Sequence, residues 1–96
     1  MLFRSPQDYA EAVKWYRKAA EQNDATAQYN LGLMYANGRG VPQDYVMAYK
    51  WINLAATRQE KAAEIRGNLA GLMTAEQIAE AQRLSSEFFA RLQSEQ

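Results

Sequence analysis

The sequence predicts an all-α fold, an α-α superhelix of about five antiparallel helices. Three observations carry this prediction. The first is that one segment repeats 36 residues later, and the second is that small and aromatic residues recur three and four positions apart inside each copy. A third is the short glycine-bearing connection between predicted helices, which makes neighbouring helices antiparallel. A chain of 96 residues has material for one hydrophobic core, so residues 1–96 are predicted to form a single domain.

The repeated segment surrounds the two tryptophans of the chain. Pro-Gln-Asp-Tyr occurs at 6–9 and again at 42–45. At the same spacing five further residues recur, with Ala12, Lys14, Trp15, Ala19 and Ala20 returning as Ala48, Lys50, Trp51, Ala55 and Ala56. A period of this length is typical of helix-hairpin repeats. We therefore expect two successive layers of one solenoid, with Trp15 and Trp51 both in a continuous interior.

The first three helices are predicted over 6–22, 25–36 and 42–58. Ser5 is a suitable N-cap for the first helix, with Pro6 at the first helical position. Gly38 follows the second helix and can adopt the left-handed conformation that a helix C-terminus often requires. The linker 38–41 then leads directly into the third helix.

The last third of the chain predicts two more helices. The first runs over 60–72, with Ile65, Leu69 and Leu72 as its apolar stripe. Thr74 and Gln77 form a capping box that begins the second. Its apolar side is formed by Ile78, Ala81, Leu84, Phe88 and Leu92. A polar opposite side suits a helix that closes the end of a solenoid.

Composition excludes several classes of function. Eleven basic and eleven acidic residues cancel, so no long-range field favours nucleic acid as a partner. The absence of cysteine and histidine removes thiol nucleophiles, imidazole bases and nearly all zinc or iron sites, so no metal, cofactor or catalytic residue is predicted. No apolar run approaches the roughly 20 residues of a spanning helix, and no signal peptide is visible.

Three features allow a functional and a structural interpretation. The Trp15–Tyr16 and Trp51–Ile52 pairs could form an aromatic platform, but their helical spacing favours core packing. The glycines of 38–40 could cradle a phosphate, although a helix-ending turn explains both of them. Two carboxylate pairs, Asp8 with Glu11 and Glu60 with Glu64, are expected to be solvated helix charges, since nothing predicts an apolar enclosure.

The segment Ala-Thr-Ala-Gln-Tyr-Asn-Leu-Gly at 25–32, with Tyr35, Gly-Arg-Gly-Val at 38–41 and Asp44, resembles the Sel-one-like repeat family of tetratricopeptide-like solenoids. Trp51 and the alanines at 55–56 complete one such repeat. On this resemblance 6–23 is the second half of a truncated repeat, 24–59 a complete repeat, and 60–96 a degenerate final repeat with a C-terminal capping helix. The resemblance implies a bacterial, non-catalytic adaptor that binds a protein or peptide in its concave groove.

In such stacks the first helix of each hairpin lines the groove, and its outward positions are the predicted contact residues. They are Thr26, Tyr29, Asn30, Leu33, Asn37, Ile65 and Leu69. Core packing is the competing interpretation for Leu33, Ile65 and Leu69. We expect Tyr29→Ala to weaken capture of a partner without unfolding the chain.

Other functions and assemblies remain open at this point. The groove could be a small-ligand or enzymatic pocket, or the chain could be a purely structural, dimerising helical fragment. The open side of the first helix, with Met1, Leu2 and Phe3, is expected to be covered either by a symmetric partner in a homodimer or by more of a longer protein. No residue decides the compartment.

Overall fold

The computed structural model describes residues 6–95, which form five α-helices and no strand. The helices are α1 (Pro6–Glu21), α2 (Ala25–Asn37), α3 (Tyr45–Ala55), α4 (Glu60–Ala70) and α5 (Ala75–Ser94). The prediction of an all-α helical repeat fold is therefore confirmed. Ser5 and the apolar residues Met1, Leu2 and Phe3 lie outside the described residues.

Side-chain caps determine where three of the helices begin. Asp24 Oδ1 accepts a hydrogen bond from the backbone N–H of Ala27 at 2.8 Å and starts α2. Asp44 Oδ1 accepts a hydrogen bond from the backbone N–H of Met47 at 3.1 Å and starts α3. Helix α3 therefore begins at Tyr45 and not at residue 42 as predicted. At α5 the predicted capping box is confirmed, since Thr74 and Gln77 each accept from the other's backbone N–H.

Two glycines shape the connection between α2 and α3. Gly38 has φ +65° and ends α2, as predicted from its position. Gly40 has φ +77°, and a Cβ added there would lie 2.4 Å from the carbonyl oxygen of Tyr9. The linker therefore lies directly against the backbone of α1, which only a glycine at position 40 permits.

The interior consists of two clusters that meet at α3. The first joins α1, α2, α3 and α5 through Ala12, Val13, Ala20, Ala27, Leu31, Met34, Trp51 and Phe88. The second joins α3, α4 and α5 through Ala48, Tyr49, Ile52, Ala55, Ala62, Leu69 and Ala81. Gly32 allows α2 to approach α3, because a Cβ there would lie 2.6 Å from Ile52 Cγ1. Helices this close need a small residue opposite a large one.

A polar network fixes the ends of the first three helices relative to one another. The Arg58 guanidinium donates to the backbone and side-chain oxygens of Asn23, both at 2.9 Å, and to Gln28 Oε1 at 3.3 Å. Gln28 is fully buried and donates to the carbonyl oxygen of Ala20 at 3.2 Å. Because a buried amide is costly without partners, this network specifies how the layers stack.

The two equivalent tryptophans have different surroundings. Trp51 is 3% exposed and meets the ring of Phe88 edge to face, with centroids 5.3 Å apart. Trp15 is 63% exposed, so the prediction that it is a core residue is wrong. The physical reason is the position of α5, which covers Trp51 on α3, whereas no helix among residues 6–95 covers the matching face of α1.

Candidate functional site

A depression between α1 and α2 holds part of the predicted contact surface. Its volume is about 210 Å³. It is lined by Tyr9, Tyr16, Asn30, Leu33, Met34, Asn37 and Arg39. We call it the α1–α2 groove. Both of its walls are helices of the repeat core, so the lining side chains of α1 and α2 are held by rigid elements. Arg39 comes from the linker that follows α2.

One face of α2 supplies the polar side of this groove. Asn30, Leu33 and Asn37 follow one another at three and four residues, which places them on one side of the helix. Asn37 Nδ2 donates to the carbonyl oxygen of Leu33 at 2.9 Å. Across the described range 6–95, the side-chain amide of half-buried Asn30 makes no hydrogen bond. An amide in this state can both donate to and accept from a bound backbone.

Arg39 is the cation among the described residues that line the groove. Its Nη1 donates to the hydroxyl of Tyr9 at 2.8 Å, and the guanidinium lies 5.2 Å from the centre of the same ring. Both contacts depend on the glycine linker, which carries Arg39 back over α1. Stacking of this kind holds an arginine in one orientation while its other donors stay available for a carboxylate.

Sequence reasoning did not predict Tyr9, Tyr16 or Arg39 as groove residues. Tyr16 was assigned to the core with Trp15, yet it is half-buried and lines the groove. The available signal was the Gly-Arg-Gly pattern, since two glycines around an arginine indicate a close approach to another backbone segment.

The remaining predicted contact residues lie elsewhere. Thr26 Oγ1 accepts a hydrogen bond from Gln59 Nε2 at 2.9 Å, beside the start of α4. Tyr29 and Ile65 are half-buried against the cluster of α3, α4 and α5. Leu69 is 4% exposed and belongs to that cluster, because it lies on the side of α4 that packs against α3. Leu69 is thus a core residue and does not line a groove, as the competing interpretation held.

A second charged region lies on α3 and α5, away from the groove. Lys50 Nζ is 4.3 Å from the centre of the Trp51 ring, and Arg91 lies over the neighbouring ring of Phe88. Partial burial and the nearby Arg91 guanidinium hold the pKa of Lys50 below its usual value. Glu21 and Glu87 act in the opposite direction.

The described part of the chain holds no cluster suited to a metal ion. In residues 6–95 no three potential metal-ligating side chains come together. The carboxylates of the two candidate pairs are exposed, as expected for solvated helix charges. The groove lining offers groups that recognise a ligand, namely aromatic rings, an aliphatic side chain, amides and the Arg39 guanidinium.

Comparison with known proteins agrees with this architecture. The model of the Sel1 repeat family matches residues 2–24 and 25–59. The chain belongs to the Sel1 repeat family. Repeats of this kind are generally scaffolds for protein interaction. No helix in the described part of the chain has the length and apolar character needed to cross a membrane.

A solved structure shows the same fold in a longer protein. This is the crystal structure of c5321, a protective antigen present in uropathogenic Escherichia coli strains that displays an SLR fold. The two chains are 36% identical, with a TM-score of 0.78 over 90% of the present chain. The present chain spans 21% of that protein's length. Nothing among curated proteins matches this chain.

Proposed function

We propose that this Sel1 repeat chain is a non-catalytic adaptor that holds a protein or peptide segment in the α1–α2 groove. The observation that carries the proposal is the half-buried Asn30 amide beside Leu33, facing Tyr9 and Tyr16 across the groove. A peptide backbone supplies the donors and acceptors that such an amide lacks in this chain.

The lining also supports a proposal for the kind of segment that is bound. Leu33 and Tyr16 offer apolar surface to an aliphatic or aromatic anchor, and a few such anchors carry most of the affinity of a peptide interface. Arg39, already stacked on Tyr9, is placed to donate hydrogen bonds to an acidic side chain. The preferred ligand is therefore a segment with an apolar anchor and a neighbouring carboxylate.

The division of the chain into layers is part of the same proposal. Residues 6–23 act as the second half of a repeat, 24–59 as a complete repeat, and 60–96 as a degenerate final repeat. The groove is then built by the first two of these segments, while α5 closes the other end over Trp51.

The proposal is tested by selecting peptides on the 96-residue chain from a random display library. The strongest binders are then mapped by amide chemical shifts. We expect the largest shifts at Asn30, Leu33 and Arg39, and about a tenfold loss of affinity with Leu33→Asp. Leu72→Asp is the matched control, because Leu72 is 63% exposed and lies beyond the end of α4.

Either of two results would count against this site. One is a set of peptides that shift residues of α4 or α5 and leave the groove unchanged. The other is an equal loss of affinity in both leucine variants, which would mean that charge anywhere on the surface disturbs binding.

A further inference from the structure

The exposed side of α1 carries an aromatic surface with charged residues around it. Its centre is Trp15, 63% exposed, above a depression of about 330 Å³. The lining residues are Glu11, Lys14, Trp15, Arg17, Lys18 and Glu21. We call this surface the Trp15 patch. Among the residues that the structure describes, none lines both this patch and the α1–α2 groove.

The internal repeat provides a reference for what this patch is. Trp51, the equivalent of Trp15, is covered by Phe88 and lies between Met47 and Leu54, which pack against the core. At the two matching positions around Trp15 the sequence has Glu11 and Lys18. The rim of the Trp15 ring is therefore charged where the rim of the Trp51 ring is apolar. An aromatic residue surrounded by charged residues is typical of the surfaces that proteins use for reversible association.

The order of the charged residues along α1 favours a second copy of this chain as the partner. Glu11 lies four residues before Trp15 and Lys18 lies three residues after it. In two antiparallel copies of α1 centred between residues 14 and 15, each Glu11 is opposite Lys18 of the other copy. Each Trp15 ring is then opposite Lys14, a pairing that Lys50 and Trp51 already make within the chain at 4.3 Å. A two-fold axis forms every one of these contacts twice.

We propose that the Trp15 patch binds a second copy of this chain, α1 against α1, in a weak symmetric homodimer. The 16 residues of α1 extend over about 24 Å, so one helix pair buries less than the about 1,600 Å² of a standard stable interface. The expected Kd is on the order of 100 µM, and it rises with salt because the ion pairs are exposed. The dimer leaves both α1–α2 grooves open and does not depend on what they bind.

Sedimentation equilibrium of the 96-residue chain from about 10 µM to about 1 mM tests the dimer. We expect association in the upper part of this range and its loss with Trp15→Ala. Phe89→Ala is the matched control, since Phe89 is 54% exposed on α5 and should leave association unchanged. A monomer at every concentration overturns the proposal, as does a dimer that persists in Trp15→Ala.

Exchanging the charges of Glu11 and Lys18 tests whether these two residues pair across the dimer. Glu11→Lys alone and Lys18→Glu alone each place like charges opposite one another, so each variant is expected to be monomeric. Mixed together, the two variants restore both ion pairs, and a heterodimer should form at the concentration where the unmodified chain associates. A mixture that stays monomeric contradicts the antiparallel arrangement.

Opposite net charge by itself could also draw two variants together. The control mixture carries Trp15→Ala in both chains, with Glu64→Lys in one and Lys61→Glu in the other; both charge sites are exposed on α4. It has the same charge difference and should not associate. Association of this mixture would overturn the assignment to the Trp15 patch.

Discussion

Gly32 provides a quantitative test of how closely the repeat layers pack. In Gly32→Ala the new Cβ would lie 2.6 Å from Ile52 Cγ1 and 2.8 Å from Ile52 Cδ1. Ile52 is fully buried, and the carbonyl oxygen of Ala48 lies 3.1 Å from the same point. The overlap therefore cannot be relieved by moving a side chain into solvent, and α2 must shift away from α3.

Two opposing terms determine the size of the effect. Forcing one methyl group into a packed interface costs about 1–3 kcal/mol, while alanine is favoured over glycine inside a helix by about 1 kcal/mol. Gly32→Ala should thus lower the free energy of unfolding by about 0–2 kcal/mol. Gly67 is a helical glycine in α4, and among the described residues no atom outside its own stretch of helix lies within 4 Å of an added Cβ. Gly67→Ala should therefore raise the free energy of unfolding by up to about 1 kcal/mol.

Urea unfolding followed by far-ultraviolet circular dichroism measures both variants. The difference between the two variants in free energy of unfolding isolates the cost of packing the extra methyl group, about 1–3 kcal/mol. Ile52→Ala removes the obstructing atoms at a cost of about 2–5 kcal/mol, and in that background Gly32→Ala should become stabilising. Equal stabilisation by both glycine substitutions, or additivity of Gly32→Ala and Ile52→Ala, would refute the close approach of α2 and α3.

Three further predictions follow from other contacts. Phe88→Ala uncovers Trp51 and should cost about 3–5 kcal/mol in thermal unfolding, whereas Phe89→Ala at the exposed neighbouring position should change stability by about 0.5 kcal/mol or less. Asp24→Ala removes the cap of α2 and should cost about 1 kcal/mol in urea unfolding, while Asp24→Asn retains most of it. The Lys50 side chain should titrate below its usual pKa by NMR, and Arg91→Gln should move this pKa upward. Because the unfolded chain binds the Lys50 proton more tightly, this group makes stability rise as pH increases through its folded pKa.

The parts of the fold that depend on local chemistry could be predicted from the sequence. The Thr74 capping box and the left-handed Gly38 use neighbouring residues only, so they can be recognised without tertiary structure. The start of α3 was placed too early because Pro42 suits a first helical position, as Pro6 does. Asp44 accepts from Met47 and fixes the actual boundary.

The surroundings of residues on a predicted helix face could not be predicted in the same way. Trp15 and Trp51 occupy equivalent positions, and only the course of α5 makes one exposed and the other buried. Leu69 was placed on the groove face, but packing against α3 puts it in the core. A helical period defines a face, whereas the neighbour of that face is set by tertiary structure.

The groove was predicted in part for the same reason. Asn30, Leu33 and Asn37 share one face of α2, so their proximity follows from helical spacing. Arg39 reaches Tyr9 across 30 residues of sequence through the positive φ of Gly40. In the sequence such a contact is indicated only by the glycines beside Arg39. Tyr29 packs against the cluster of α3, α4 and α5, so Tyr29→Ala is a poorer probe of binding than Leu33→Asp.

Site-specific photocrosslinking tests the central claim, that this chain holds another protein in the α1–α2 groove. A photoreactive residue is placed at position 33 in one form of the chain and at exposed position 72 in another, inside cells that express the chain naturally. We predict a discrete heavier adduct with a second protein from position 33 and none from position 72. No adduct from position 33, or the same adducts from both positions, would contradict the claim.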